Sequence, residues 1–178
     1  GADAISIISD SKFFDGDVKF IQEIREHINI PILQKDFIIE KSQIIEGHNC
    51  GADAFLLIAD VLNDKKINEF QELAKNLNMS ILLEMHDIKN IDRLKKIKPD
   101  IVGVNCRDLK TMRTDLTIFK NLSNLLPYDS IKVAESGIKT SDDIKYVRDL
   151  GYNAVLVGTS LMKSGSPGKS LESLISNL

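Results

Sequence analysis

Five short apolar runs in this chain end in side chains that move protons or hold anions. They are Gln34-Lys35-Asp36-Phe37, Leu83-Glu84-Met85-His86-Asp87, Val104-Asn105-Cys106-Arg107-Asp108, Ala134-Glu135-Ser136-Gly137 and Val157-Gly158-Thr159-Ser160. Lys35 is expected to point toward a partly enclosed site, where desolvation lowers a lysine pKa and nearby carboxylates raise it. A charged ammonium beside Glu84 is a general acid toward a carbonyl oxygen; the alternative is an ion pair that only closes the mouth of the site. Glu84 and Glu135 carry the same two readings, as proton-transfer groups or as structural partners of Lys35 and Arg107. Two carboxylates near one lysine have their pKa values pushed apart, which favours separate acid and base roles.

Asn105 and Arg107 share strand parity and are expected on one side, with Cys106 on the other. Arg107 offers a planar fork for a carboxylate or phosphate, or a salt bridge to Asp108 or Asp10. His86 has no second His or Cys at ligand spacing, so it reads as a loop or capping residue and no metal is expected. His27 and His48 fall on helical patterns as surface or packing residues. Gly137 and Gly158 let backbone N–H groups approach an anion, and Thr159 to Lys163 supplies a short helix start behind them, which points to a phosphorylated ligand. A tight turn without a ligand is the other reading of such glycines.

The elements that must carry these residues are legible from hydrophobic patterning. Apolar runs rich in Ile, Leu and Val alternate with amphipathic stretches of about a dozen residues, the pattern of βα units on a parallel sheet. Seven strands are expected: Ala4 to Ile8, Pro31 to Lys35, Ala54 to Ile58, Ser80 to Glu84, Ile101 to Asn105, Lys132 to Glu135 and Ala154 to Val157. Helix starts are expected at Asn63, Asp87 and Thr140, and at Ser166 with Pro167 in the first turn. Gly1-Ala2-Asp3-Ala4 recurs at Gly51 to Ala54 and, relaxed, at Gly151-Tyr152-Asn153-Ala154. In the later copies the glycine suits the left-handed position that ends a helix. Strands start about every 25 residues, spacing that favours a (β/α)8 barrel over a doubly wound sheet. No glycine-rich dinucleotide fingerprint follows the first strand. One domain, residues 1–178, is expected.

With 178 residues, 43% hydrophobic and 28% charged, the chain has enough apolar material for a substantial core. A net charge of -3 and only short basic stretches argue against nucleic-acid binding. No apolar run approaches the roughly 20 residues of a membrane span. Cys50 and Cys106 form no metal or disulfide pattern, so a reducing cytoplasm is the expected compartment.

Taken together, Ile32-Leu33-Gln34-Lys35-Asp36-Phe37-Ile38, Leu83 to Asp87, Val104 to Leu109, Glu135-Ser136-Gly137-Ile138 and Val157-Gly158-Thr159-Ser160-Leu161-Met162 resemble indole-3-glycerol-phosphate synthase, in order and over essentially the whole chain. The resemblance implies a (β/α)8 barrel of tryptophan biosynthesis and a carboxy-lyase without cofactor. Its reaction closes the indole ring of 1-(2-carboxyphenylamino)-1-deoxyribulose 5-phosphate with release of carbon dioxide and water. It implies that Lys35 protonates the ketone during ring closure and that Glu84 serves the later dehydration. It further implies that Asn105 holds substrate hydroxyls, that Glu135 and Ser136 complete the polar lining, and that Gly137, Gly158 and Thr159 bind phosphate. For Arg107 it implies only electrostatic support.

Nothing here matches the family's first strand, which presents a glutamate and a lysine two residues apart. The expected architecture is therefore an incomplete barrel of seven βα units, strands two to eight of the family. Such a piece is expected to be impaired in turnover and to associate through the open barrel seam. The alternatives are a non-catalytic barrel that binds sugar phosphates, and a related phosphate-binding enzyme such as phosphoribosylanthranilate isomerase or the tryptophan synthase α-subunit. The isomerase calls for a Cys and Asp pair at strand ends, which neither Cys50 nor Cys106 supplies.

Overall fold

The computed structural model describes residues 1–109, 111–176 and 178. Among them strands and helices alternate: β1 (Ile5–Ile8), α1 (Lys19–Arg25), β2 (Ile32–Lys35), α2 (Lys41–Asn49), β3 (Ala54–Ile58), α3 (Asp64–Leu77) and β4 (Ser80–Met85). A 3-10 turn (Ile88–Asn90) then leads to α4 (Ile91–Ile97), β5 (Ile101–Asn105), α5 (Thr117–Ser123), β6 (Ile131–Glu135), α6 (Ser141–Asp149), β7 (Ala154–Leu156), α7 (Thr159–Met162) and α8 (Pro167–Ile175). All seven expected strands are present, each with boundaries within one residue of those read from the sequence.

Strand order follows chain order from β1 to β7, and the pairs β1–β2, β2–β3, β5–β6 and β6–β7 are parallel. A doubly wound sheet reverses its strand order at a switch point. No reversal occurs here, so the connectivity is that of a (β/α)8 barrel, with seven of its strands among the described residues.

Two compact units divide the chain, residues 2–83 and residues 84–178 with Gly1. In the N-terminal unit the register places Ile7 beside Gln34 and Ile8 beside Lys35. Ile21, Ile32, Ile44, Phe55, Leu57, Ile67 and Phe70 make its core, all essentially without solvent contact. Each such side chain contributes about 1.5–3 kcal/mol relative to exposure. α3 starts where expected, with Asn63 Oδ1 accepting from Lys66 N at 2.9 Å. Gly47 sits inside α2, where glycine costs about 1 kcal/mol against alanine. A Cβ there would lie 2.0 Å from Gln34 Oε1, so the helix approaches the buried Gln34 only because position 47 has no side chain.

The repeated four-residue motif acquires a physical meaning at the N-terminal ends of the strands. Asp53 N donates to Ile32 O at 2.9 Å, and Ile32 N donates back to Asp53 Oδ2 at 2.7 Å. The Arg25 guanidinium pairs with the same carboxylate and donates to Gly51 O at 3.1 Å and Ile30 O at 3.2 Å. A hundred residues later, in the C-terminal unit, Asn153 N donates to Lys132 O at 2.8 Å, and Lys132 N donates back to Asn153 Oδ1 at 2.8 Å. The glycines before them close both helices in the same way. Gly51 (φ +97°) donates to His48 O and Ala52 to Gly47 O, while Gly151 (φ +87°) donates to Arg148 O and Tyr152 to Val147 O. This pair of bonds is the Schellman pattern, and it requires the left-handed conformation glycine supplies.

The C-terminal unit is built on β5, β6 and β7, with Val102, Val104, Phe119, Ala134 and Val147 buried. Tyr152 takes the place of Ala52 in the relaxed motif. Its ring meets Phe119 edge-on at 5.3 Å, its hydroxyl donates to Phe119 O at 3.2 Å, and burial raises its pKa. Thr140 starts α6, as the sequence leads one to expect, and the structure adds a capping box with Asp143. Asp87 differs: its Oδ1 accepts from Lys89 N at 3.0 Å and starts the 3-10 turn, and α4 follows only from Ile91. The early acceptor at Lys89 favours the tighter turn.

Candidate active site

In the N-terminal unit Lys35 is the last residue of β2 and is half-buried. Its neighbours are held from the other side of the strand. Gln34 Nε2 donates to Ser9 Oγ and to Gln43 O, each at 3.3 Å, and Ser9 Oγ donates to Asp36 Oδ2 at 2.7 Å. Asp36 Oδ1 accepts from Phe37 N at 2.7 Å. The chain is thus pinned immediately before and after Lys35, which fixes where the ammonium stem leaves the backbone. Strand alternation puts Gln34 and Asp36 opposite Lys35. A cavity lined by Ser9, Ser11, Asp17, Gln34, Asp36 and Glu46 is consequently on the side away from Lys35. The sequence reading quoted Asp36 at the strand end but gave it no role and did not single out Ser9; their hydrogen bond joins segments 27 residues apart, which no local pattern announces.

In the C-terminal unit Glu84 sits near the end of β4 and is 2% exposed, and Glu135 ends β6 at 1%. Asn105, the last residue of β5, is in register with Glu135, so the two side chains leave adjacent strands on one face about 5 Å apart. Asn105 Oδ1 accepts from Arg107 N at 3.0 Å. That bond turns the amide oxygen toward the backbone and leaves the Nδ2 group as the donor available to a ligand. Arg107 Nη1 donates to Met112 O at 3.1 Å, so part of its fork braces its own loop. The loop is further closed by an antiparallel bridge to Thr114, by Asp108 N on Arg113 O at 2.9 Å, and by left-handed Met112 (φ +60°).

Cys106 faces away from Asn105 and is buried, with its Sγ 3.4 Å from Ser136 O and its N donating to Glu135 O at 3.1 Å. Burial pushes its thiol pKa up. Sequence reading set this residue aside as outward-facing; in the structure it fastens β5 to the turn that follows β6. His86 lies just past β4, as expected of a loop residue, and its Nε2 is 3.3 Å from Glu84 Oε1. The signal was present in the sequence as i, i+2 parity.

The turn after β6 carries two left-handed residues in succession, Ser136 (φ +68°) and Gly137 (φ +75°). A Cβ on Gly137 would stand 2.8 Å from Leu116 Cδ2 and 2.9 Å from Cys106 Sγ. Conformation and packing therefore both explain glycine at 137. Gly158 is different: its φ is -126°, and a Cβ there would meet nothing within 4 Å. It caps α7, whose first residues Thr159 and Ser160 leave helix N–H groups without intrahelical acceptors. Ser160 Oγ donates to Ile138 O at 2.9 Å, tying this helix start to the segment after Gly137.

Among the described residues no group of three or more His, Cys, Asp and Glu is arranged to hold a metal ion. No helix among them is long and apolar enough to cross a membrane.

The family model for indole-3-glycerol phosphate synthase matches residues 1–174. The chain belongs to the indole-3-glycerol phosphate synthase family. It is 42% identical over 163 residues to the indole-3-glycerol phosphate synthase of Acetivibrio thermocellus, covering 92% of this chain and 63% of that protein. With the synthase of Endomicrobium trichonymphae it shares 44% identity over 174 residues, 98% of this chain and 67% of the relative. The chain thus spans 63% of the length of the first of these relatives. Among solved structures, 3-hexulose-6-phosphate synthase from Salmonella typhimurium superposes with a TM-score of 0.77 at 17% identity, over 97% of this chain and 84% of that one. At that identity the likeness speaks for the fold alone.

Proposed function

We propose that this chain carries indole-3-glycerol phosphate synthase chemistry, the decarboxylating closure of 1-(2-carboxyphenylamino)-1-deoxyribulose 5-phosphate to indole-3-glycerol phosphate. The observation that carries the reading is the family match over residues 1–174; Lys35, Glu84, Asn105 and Glu135 at or next to the C-terminal ends of strands are consistent with it. In this reading the aromatic carbon that bears the carboxylate bonds to the ketone carbon, and Lys35 protonates the ketone oxygen as the bond forms. Loss of carbon dioxide restores the benzene ring. The new hydroxyl then leaves as water while a proton departs from the adjacent carbon, with Glu84 as the proton-transfer group.

The roles of the supporting residues are part of the same proposal. Asn105 presents its Nδ2 donor to substrate hydroxyls, because its oxygen is engaged with Arg107 N. Glu135 and Ser136 complete the polar lining beside it. Gly137, Gly158 and Thr159 receive the phosphate, with the N–H groups that begin α7 as donors. Arg107 contributes positive potential from a braced loop.

Lys35→Ala separates this reading from that of a barrel which only binds sugar phosphates. The expected result is loss of indole-3-glycerol phosphate formation by at least about 100-fold relative to the unsubstituted chain. Binding of indole-3-glycerol phosphate, followed by calorimetry, should remain within about threefold. Unchanged product formation in Lys35→Ala overturns the assignment of the general acid.

A further inference from the structure

We propose that Ser9 is a positioning residue for Lys35, tying the end of β2 to the end of β1 so that the lysine stem always leaves the backbone at one place. The inference rests on the reading of Lys35 as the general acid of ring closure. Ser9 follows β1 directly, is 8% exposed, and bonds to three consecutive residues at the end of the neighbouring strand. Its backbone N–H donates to Lys35 O at 3.1 Å, its Oγ donates to Asp36 Oδ2 at 2.7 Å, and the same Oγ accepts from Gln34 Nε2 at 3.3 Å. One residue thus grips the chain before, at and after Lys35.

The need for such a grip follows from where the strand stops. The last pair of the β1–β2 ladder is Ile8 with Lys35, so Asp36 lies beyond it. The Ser9 hydroxyl carries the attachment one residue further, and Asp36 Oδ1 accepts from Phe37 N at 2.7 Å to continue it. A lysine already reaches its target through four side-chain torsions, each with staggered wells. Movement of the backbone at its root would add to that freedom, and misplacing a reacting group by about 1 Å can cost about 100-fold in rate. Alternation puts Gln34 and Asp36 on the face opposite Lys35. The Ser9 hydroxyl meets both of them there, so its removal should disturb turnover more than substrate binding.

Two measurements test the inference. In ring-closure kinetics Ser9→Ala is expected to lower kcat by about 10-fold with KM within about twofold. Ser9→Thr keeps the hydroxyl, and its added methyl group has room in the cavity that Ser9 and Asp36 line, so kcat should stay within about threefold. Asp36→Ala cuts the same bond from the other strand and should show the same split between kcat and KM. Unchanged kcat in Ser9→Ala, or Ser9→Thr no better than Ser9→Ala, overturns the positioning role. Lys35→Ala run alongside separates the two layers: loss of product there with full turnover in Ser9→Ala overturns the positioning role alone, whereas full turnover in Lys35→Ala overturns the general acid and this proposal with it. The second measurement needs no turnover. Nitrogen-15 relaxation should give backbone order parameters of about 0.85 at Lys35 and Asp36 in the unsubstituted chain, falling toward about 0.6 in Ser9→Ala and recovering in Ser9→Thr. Order parameters that Ser9→Ala leaves unmoved overturn the proposal.

Discussion

Gly137 and Gly158 look equivalent as letters, yet the structure gives them opposite reasons to be glycine. At 137 an added methyl group collides with Leu116 and Cys106 at a left-handed φ; at 158 it meets open space. Gly137→Ala should therefore lower stability by about 1–3 kcal/mol, read as a shift in the urea midpoint. Gly158→Ala should change stability by less than about 0.5 kcal/mol while weakening binding of indole-3-glycerol phosphate, read by calorimetry. Equal loss of stability in the two variants would refute the distinction. Which polar residues end the strands was legible from the sequence, because alternation and strand length suffice to find Lys35, Glu84, Asn105 and Glu135. What those residues touch was not. The brace from Cys106 to Ser136 O depends on loop closure between segments distant in sequence, and the distance from His86 to Glu84 depends on side-chain rotamers that strand parity does not fix.

At the level of elements, the strand starts are governed by a reciprocal pair of hydrogen bonds, Asp53 with Ile32 and Asn153 with Lys132. Asp53 also pairs with Arg25, but these side chains are 51% and 29% exposed, and ion pairs at such exposure contribute little. The backbone bond is the larger effect, and Asn153 shows that an amide oxygen serves as well as a carboxylate. Asp53→Asn should then cost less than about 1 kcal/mol and Asp53→Ala about 1–3 kcal/mol, measured by chemical denaturation. A large loss in Asp53→Asn would instead mean that the Arg25 pair outweighs the backbone bond. The recurrence of the motif was visible in the sequence, and so was the left-handed glycine. The use of its third residue as a hydrogen-bond acceptor was hidden, since Asp and Asn share that ability with many surface positions that do not use it. The 3-10 turn after Asp87 escaped for a related reason: the same residue type caps either helix, and only the position of the N–H that it accepts decides.

For the molecule as a whole, strand order and spacing made the barrel connectivity readable, because seven evenly spaced parallel strands leave few alternatives. Its dependence on alkaline pH follows from two buried neutral acids. Burial raises the pKa of both the Cys106 thiol and the Tyr152 hydroxyl, the thiol also being lowered in part by the Asp115 backbone. The folded chain therefore holds these protons more tightly than the unfolded chain. Their contribution is complete below the unfolded values of about 8.5 and 10 and is lost as pH rises through the raised folded values. Unfolding free energy should stay level from pH 7 to 8 and fall beyond about pH 9, with a shallower fall in Cys106→Ala and Tyr152→Phe. An equally steep fall in both variants would assign the alkaline limb to other groups. The paired bonds of Asp53 and Asn153 bear on how such a scaffold is altered. They lie where strands begin, whereas Lys35, Asn105, Ser136 and Thr159 lie where strands have ended. A combinatorial library restricted to those four positions would sample new substrates and reactions while every such bond stays intact, so most of its members should still fold.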